Sequence, residues 1–280
     1  MANILIYSEK ENLLQELQNA AALIPGEVRA VTITDTAVLA DTAAVAASLA
    51  GPAAAAEYIL LASNRRGREL AGHLAQTLGA GCLTDVNAFR VEDGEVVCQR
   101  NALGGATVAA QVISTLQKVI AVTPRSFAPA ELGSVETLNG TAGMVSLQGV
   151  QPKSGDSVDI EAAEILVVVG QGLEDSGALT VVESIAKALD GEIACSKPVA
   201  TDRKWMSEER IIGLSGKKCK PELAIIMGVS GQVQFTVGIR DAKIIVSINN
   251  DENAFMNQMA DYYLVADIQG VLAELQQALA

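Results

Sequence analysis

The chain has 280 residues, of which 50% are apolar and 3% aromatic, and a formal charge of -13. That length supports two ordinary domains with cores built on Ala, Val, Ile and Leu, a composition suited to α/β layers whose parallel strands are buried on both faces. The acidic balance argues against nucleic acid or an anionic membrane as a partner, because binding phosphate groups needs basic surface. No apolar run approaches a membrane span, and Met1-Ala2-Asn3-Ile4 opens a strand-like segment without a basic leader. A cytoplasmic chain with no membrane insertion is therefore expected. Cys82, Cys98, Cys195 and Cys219 are scattered, with only His73 to help a metal site, so they read as reduced thiols rather than zinc ligands.

The first half alternates strand and helix signals. Ile4 to Tyr7 is an apolar strand, Leu13 to Leu23 has helical spacing, and Val28 to Thr34 is strand-like again. Asp41 to Leu49 follows as a helix, Tyr58 to Ala62 as a strand, and Arg68 to Leu78 as a helix stopped by Gly79. Such repetition predicts a largely parallel sheet with helices outside. Phe89 to Val91 and Glu95 to Gln99 then flank Asp93-Gly94, the signal of a two-residue hairpin. Thr107 to Ile113 and Val119 to Val122 are further strand candidates. From Pro124 to Asp159 there is no strong periodicity, and Gln151-Pro152-Lys153-Ser154-Gly155-Asp156 is the best linker. The expected division is 1–157 for an N-terminal α/β support and interface domain and 158–280 for a second, doubly wound domain.

The second domain opens on Ile165 to Val169, which runs into Gly170-Gln171-Gly172 and is followed by a helix over Leu179 to Leu189. A short strand near Ile193, a polar loop holding Trp205, and Ile211-Ile212-Gly213-Leu214-Ser215-Gly216-Lys217 come next. Leu223 to Met227 ends in Gly228-Val229-Ser230-Gly231, and Lys243 to Ile248 is closed by Asn249-Asn250-Asp251. A Gly turn after a strand presents backbone amides that can hold phosphate, although taken singly it more often only feeds a helix. Two such turns in one domain favour a nucleotide fold with the ligand at the strands' carboxyl ends. A pyridine nucleotide enzyme is disfavoured, because Gly170 to Gly177 places Asp175 where a G-x-G-x-x-G turn needs its third Gly.

Taken together these segments resemble the electron transfer flavoprotein alpha subunit family. The match comprises a Pro before the strand (Pro221), the G-I/V-S-G-x-I/V-Q run over Gly228 to Gln234, Asn249 at the next strand end, the Gln-x-Ala-Asp-Tyr run over Gln258 to Tyr262, and Asp267 ahead of the last helix. It extends over essentially the whole chain. In the first half, Asn64-Arg65-Arg66-Gly67-Arg68-Glu69-Leu70 looks like the family's Arg-Gly-Arg-Asp-Leu segment, best read as a solvated helix start that supports the domain, and Gly104-Gly105 also fits. The resemblance implies FAD in the second domain. It places the loop and helix start Ser230, Gly231, Gln232, Val233, Gln234 and Phe235 along the cofactor, and Asn249, Asp267 and Ile268 at its ADP end. Ile212, Gly213, Leu214 and Ser215 match the V-G-Q-T element, so that the Ser215 hydroxyl falls beside the flavin N5; a helix cap is the alternative use of that side chain.

Three departures touch the ring end of the implied site. The family's G-G-R-G turn is Val169-Gly170-Gln171-Gly172, its A-S-R element is Cys195-Ser196-Lys197, and the His that ends G-I-S-G-x-I-Q-H is Phe235. A guanidinium becomes an amide at Gln171, a planar fork becomes a point charge at Lys197, and a donor is lost at Phe235. Negative charge on a reduced flavin is thereby less stabilised, and a lowered potential or weakened FAD binding is expected, with Lys197 as the main compensating charge. No acid-base pair or nucleophile stands out, as suits a carrier whose chemistry belongs to its flavin. The resemblance implies an electron transfer flavoprotein alpha subunit that pairs with a beta subunit and shuttles electrons between a dehydrogenase or other redox enzyme and an acceptor. The alternative is a flavin-poor, nucleotide-binding structural subunit of the same fold.

Overall fold

The computed structural model describes residues 2–103, 107–149 and 158–279. The expected linker Gln151 to Asp156 and the Gly104-Gly105 pair lie outside the described residues. The chain forms two compact units, Met1–Gln151 and Pro152–Ala280.

The first unit contains, in order, β1 (Ala2–Tyr7), α1 (Glu11–Ala21), β2 (Gly26–Thr32), α2 (Thr36–Leu39), α3 (Thr42–Ala54), β3 (Tyr58–Ala62), α4 (Arg65–Leu78), β4 (Gly81–Glu92), β5 (Glu95–Ala102), β6 (Thr107–Gln111), β7 (Lys118–Val122) and β8 (Val135–Thr137). They make one eight-stranded sheet in the order β6-β5-β4-β7-β3-β1-β2-β8. The pairs from β7 through β8 are parallel, and β5 pairs antiparallel with both β4 and β6. Alternate side chains of β1 enter opposite cores: Leu5 and Tyr7 pack with α3 and α4, while Ile4 and Ile6 pack with α1. This two-sided burial is why these strands read as continuous apolar runs.

Two features depart from the periodic pattern. β4 begins parallel to β7, shifts register between Leu83 and Val86, and only then becomes the arm of the hairpin. At the shift Asp85 has φ 56, its amide donating to Ser63 Oγ at 3.0 Å and its carboxylate meeting Arg68 at 3.2 Å. A polar residue in the left-handed region interrupts the alternation, which hides the strand's first half from a pattern search. The hairpin itself matches its signal, with φ 51 at Asp93 and 84 at Gly94, as a two-residue turn with positive φ at both positions requires. β8, three residues paired to β2, is too short to carry a period.

The second unit contains β9 (Ile165–Val169), α5 (Leu179–Ala188), β10 (Glu192–Cys195), α6 (Lys197–Thr201), β11 (Leu223–Met227), α7 (Val233–Thr236), β12 (Ile244–Asn249), α8 (Phe255–Met259), β13 (Tyr262–Val265) and α9 (Ile268–Ala278). All five strands are parallel, in the order β10-β9-β11-β12-β13. Val167 and Val169 face a core shared with α5 and α9, whereas Leu166 and Val168 face one shared with Phe235, Ile239 and Met256. Helices therefore cover both faces, and the order reverses between β9 and β11. Among the described residues no helix is long and apolar enough to cross a membrane.

The arginine-rich start of α4 is more engaged than a solvated helix start. Arg66 Nη1 donates to the Leu39 carbonyl at 2.5 Å and Arg68 pairs with Asp85, while Asn64 Oδ1 accepts from the Gly67 amide at 2.8 Å. Asn64→Ala should cost about 1 kcal/mol through loss of this cap. The expected readout is faster hydrogen exchange in the first turn of α4, restored by Asn64→Asp. Unchanged protection in the alanine variant would show that the cap contributes nothing.

Candidate functional site

The carboxyl ends of β9, β10, β11 and β12 converge on a cleft of about 530 Å³, within the roughly 300–1,000 Å³ usual for ligand sites. Its floor is set by glycine. Gly170 N–H donates to Met227 O at 2.8 Å and Gly172 N–H to Gly228 O at 3.0 Å, so the ladder between β9 and β11 continues past both strands. A Cβ on Gly172 would lie 2.7 Å from Gly228 Cα, and one on Gly228, at φ 63, would lie 2.6 Å from Ile268 Cδ1 and 2.7 Å from Gly172 Cα. The two loops touch backbone to backbone, with the first residue of α9 packed beneath.

The cleft is lined by Gln171 and Gly172 after β9, by Ser196 and Lys197 after β10, by Ile212 and Ser215, by Ser230, Gln232, Gln234 and Phe235 after β11, and by Asn249 at the end of β12. These are sequence-predicted positions. Gly213, Leu214, Gly231 and Val233 shape the walls rather than line them. Gly213, at φ 135, lets its turn press against Gln234, and the Leu214 amide donates to Gln234 O at 2.7 Å while its side chain is exposed. Ser215 stands in this turn and starts no helix, which removes the cap alternative. Asp267 is the N-cap of α9, accepting from Gly270 N–H at 3.2 Å, and is not among the lining residues. Ile268 is buried under the floor.

Lining residues outside the predicted set are Pro198, Gly228, Val229, Asp251 and Ala254. Gly228 and Val229 belong to the Gly-turn motif itself. Asp251 and Ala254 had only their place after a strand end to mark them. A buried polar chain holds this wall: Ser247 Oγ donates to Asn257 Oδ1 at 2.7 Å, Asn257 Nδ2 to Asp251 O at 3.0 Å, Asp251 N–H to Asn249 Oδ1 at 3.0 Å, and Asn249 Nδ2 to Val229 O at 2.9 Å. Ser247, Asn249 and Asn257 each have a hydrogen-bond partner within this network, so the wall is fixed rather than merely solvated. α7, by contrast, is a single turn, so backbone amides rather than a long helix dipole are what this loop offers an anion.

Phe235 is buried, packed with Ile212, Val229 and Met256. Cys195, next to Ser196, has its thiol pushed up to about 12 by burial, against the smaller opposing effect of Arg210. Protonated and enclosed, it offers no nucleophile. Hydroxyls, amides, one ammonium and the Asp251 carboxylate interspersed with apolar Ile212, Val229 and Phe235, over a floor that only glycine permits, fit a cofactor with an apolar ring system and a phosphate-bearing tail.

The second unit is thus a doubly wound nucleotide-binding domain with its cleft at the carboxyl ends of the strands. The sequence profile of the electron transfer flavoprotein FAD-binding domain matches residues 159–240, and that of the electron transfer flavoprotein domain matches residues 12–146. Protein FixB of Escherichia coli O1:K1 / APEC and protein FixB of Shigella flexneri are each 30% identical to the chain over 308 aligned positions, covering 100% of it and 98% of the relative. The chain belongs to the electron transfer flavoprotein alpha subunit family, and its second unit carries that family's FAD-binding domain. Among solved structures, a putative thiamin diphosphate-dependent enzyme from Mycobacterium smegmatis aligns with 99% of the chain and 59% of its own at 13% identity, with a TM-score of 0.27.

Gly228→Ala should be destabilising by more than about 1 kcal/mol, since it adds a Cβ both to a left-handed backbone and to a backbone contact. Thermal unfolding of the variant, with FAD titration alongside, checks this. Wild-type stability together with wild-type affinity would show that the floor tolerates separation.

Proposed function

We propose that the chain is the FAD-carrying alpha subunit of a heterodimeric electron transfer flavoprotein, which pairs with a beta subunit and passes electrons from a dehydrogenase or other redox enzyme to an acceptor. The observation that carries this reading is the cleft itself, which gathers eleven of the positions assigned to FAD at the carboxyl ends of four parallel strands. Family membership supplies the beta subunit and the redox partners as part of the proposal.

In this reading the Gly228 to Gln232 loop holds the pyrophosphate through backbone amides, which accept any side-chain chemistry around them. Asn249 serves the ADP end, while Ile268 supports the floor from beneath and Asp267 caps α9 behind it. Ile212, Val229 and Phe235 would exclude water from the ring, while the Ser215 hydroxyl would donate or accept a hydrogen bond there. Gln171, Ser196 and Lys197 face the ring's polar edge, and Lys197 supplies positive charge there. The flavin, when bound, contributes the electron-accepting and electron-donating chemistry. No protein acid or base has to turn over, and the absence of an activated thiol beside Ser196 is consistent with that division.

The substitutions at Gln171 and Phe235 favour a second reading, a flavin-poor structural subunit, and purification separates the two. Chain co-expressed with a beta-type partner should be yellow and release FAD on denaturation. Colourless protein, both alone and with the partner, would sink the carrier reading. In the yellow protein, Gln171→Arg should raise the flavin midpoint potential by roughly 50 mV, the equivalent of about 1 kcal/mol for one electron, because a cation beside the reduced ring offsets its negative charge. Spectroelectrochemical titration reads it; an unchanged or lowered potential would place residue 171 away from the ring.

A further inference from the structure

Arg203 makes none of the cleft's lining, yet its guanidinium joins two of the loops that do. Its Nη2 donates to Gln171 O at 2.9 Å and its Nη1 donates to Leu173 O. The opposite face of the group lies over the Trp205 ring, 4.5 Å from the centroid. The backbone behind it is pinned to α6: Asp202 and Arg203 N–H both donate to Pro198 O at 3.1 Å, and Trp205 N–H donates to Val199 O at 3.1 Å. Lys204, at φ 55, makes the reversal that brings Trp205 beneath the guanidinium.

We infer that Arg203 is a positioning residue for the cofactor cleft, clamping the Gly170 to Leu173 loop onto the segment that begins with Ser196-Lys197. The loop's other fastening, to the end of β11, uses the amides of Gly170 and Gly172. Its carbonyls at Gln171 and Leu173 are left to other donors, and Leu173 is fully buried, so that acceptor needs a donor from the protein. A planar fork reaches both at once, which a lysine cannot do with the same geometry. The clamp sets where Gln171 stands relative to Lys197, and both residues line the cleft. This deepens the proposed FAD reading and rests on it for its functional meaning.

Trp205 is the chain's only tryptophan, so its emission reports the clamp directly. The test compares the full chain, co-expressed with its beta-type partner, as wild type, Arg203→Gln and Arg203→Lys. Measured are Trp205 emission, hydrogen exchange of peptides covering residues 170–175, FAD affinity, and the visible band of bound FAD. Arg203→Gln should shift Trp205 emission, speed exchange at 170–175 while leaving β11 and β12 at the wild-type rate, weaken FAD about tenfold, and move the visible band. Arg203→Lys, which keeps the charge and one donor, should recover part of the affinity and of the protection. Wild-type exchange at 170–175 in Arg203→Gln would overturn the clamp. Faster exchange with unchanged FAD affinity and spectrum would overturn its role in the cleft. If the wild type itself binds no FAD, the proposed function falls, while the exchange comparison still decides the clamp.

Discussion

The contact between Gly172 and Gly228 is the constraint on which the second unit depends. In a doubly wound sheet the loops on either side of the order reversal usually diverge, because their crossovers leave toward opposite faces. Here the β9–β11 ladder runs on through Gly170 and Gly172 before the chains part. The apposed backbones leave no space for a Cβ on either residue, and the cleft is consequently formed above a floor of peptide groups. Glycine loses more conformational freedom on folding than other residues, and the buried valines and isoleucines of β9 and β11 offset that loss.

From this floor the remaining walls follow. The Val229 carbonyl is directed to Asn249, which ties the β11 loop to the end of β12, and Asn257 with Ser247 buttresses that tie from within the core. On the opposite side the Gly170 to Leu173 loop is fastened to the Ser196 segment. Gly213 is the third close approach, and its φ of 135 lets the Ile212 to Ser215 turn lie against Gln234. Four strand ends are thereby joined through backbone groups together with the Asn249 and Arg203 side chains, and the other side chains that line the cleft are mounted on a frame that depends little on their identity.

That separation explains what could be read in the sequence. β9, β11 and β12 were visible because burial on both faces demands unbroken β-branched runs, and the Asp93-Gly94 hairpin because its turn demands particular residues. The floor was visible because only glycine fits it. α2 and α6 are too short to carry a helical period, and β8 too short to carry an alternation. The first half of β4 was concealed by the left-handed Asp85. Asp251 and Asn257 act through short-range loop contacts that follow no helical or strand period, and Arg203 acts through partners distant in sequence, so no local pattern marks them. Arg203 meets Gln171 across 32 positions, and such a pairing becomes legible only once the sheet order brings the loops together.

The same separation divides the positions of the cleft into two kinds. Gly228 and Gly231 carry positive φ, and a side chain at either would strike neighbouring backbone. Positions that act by side chain, among them residues 171, 197 and 235, are free of that constraint. Phe235 packs its ring with Ile212, Val229 and Met256, so at this position one side chain both lines the cleft and adds apolar burial to the core. The shape of the cleft and the chemistry of its lining are therefore separable properties of this fold. The first is anchored in backbone geometry that tolerates little substitution, while the second rests on side chains that can change without unmaking the cleft.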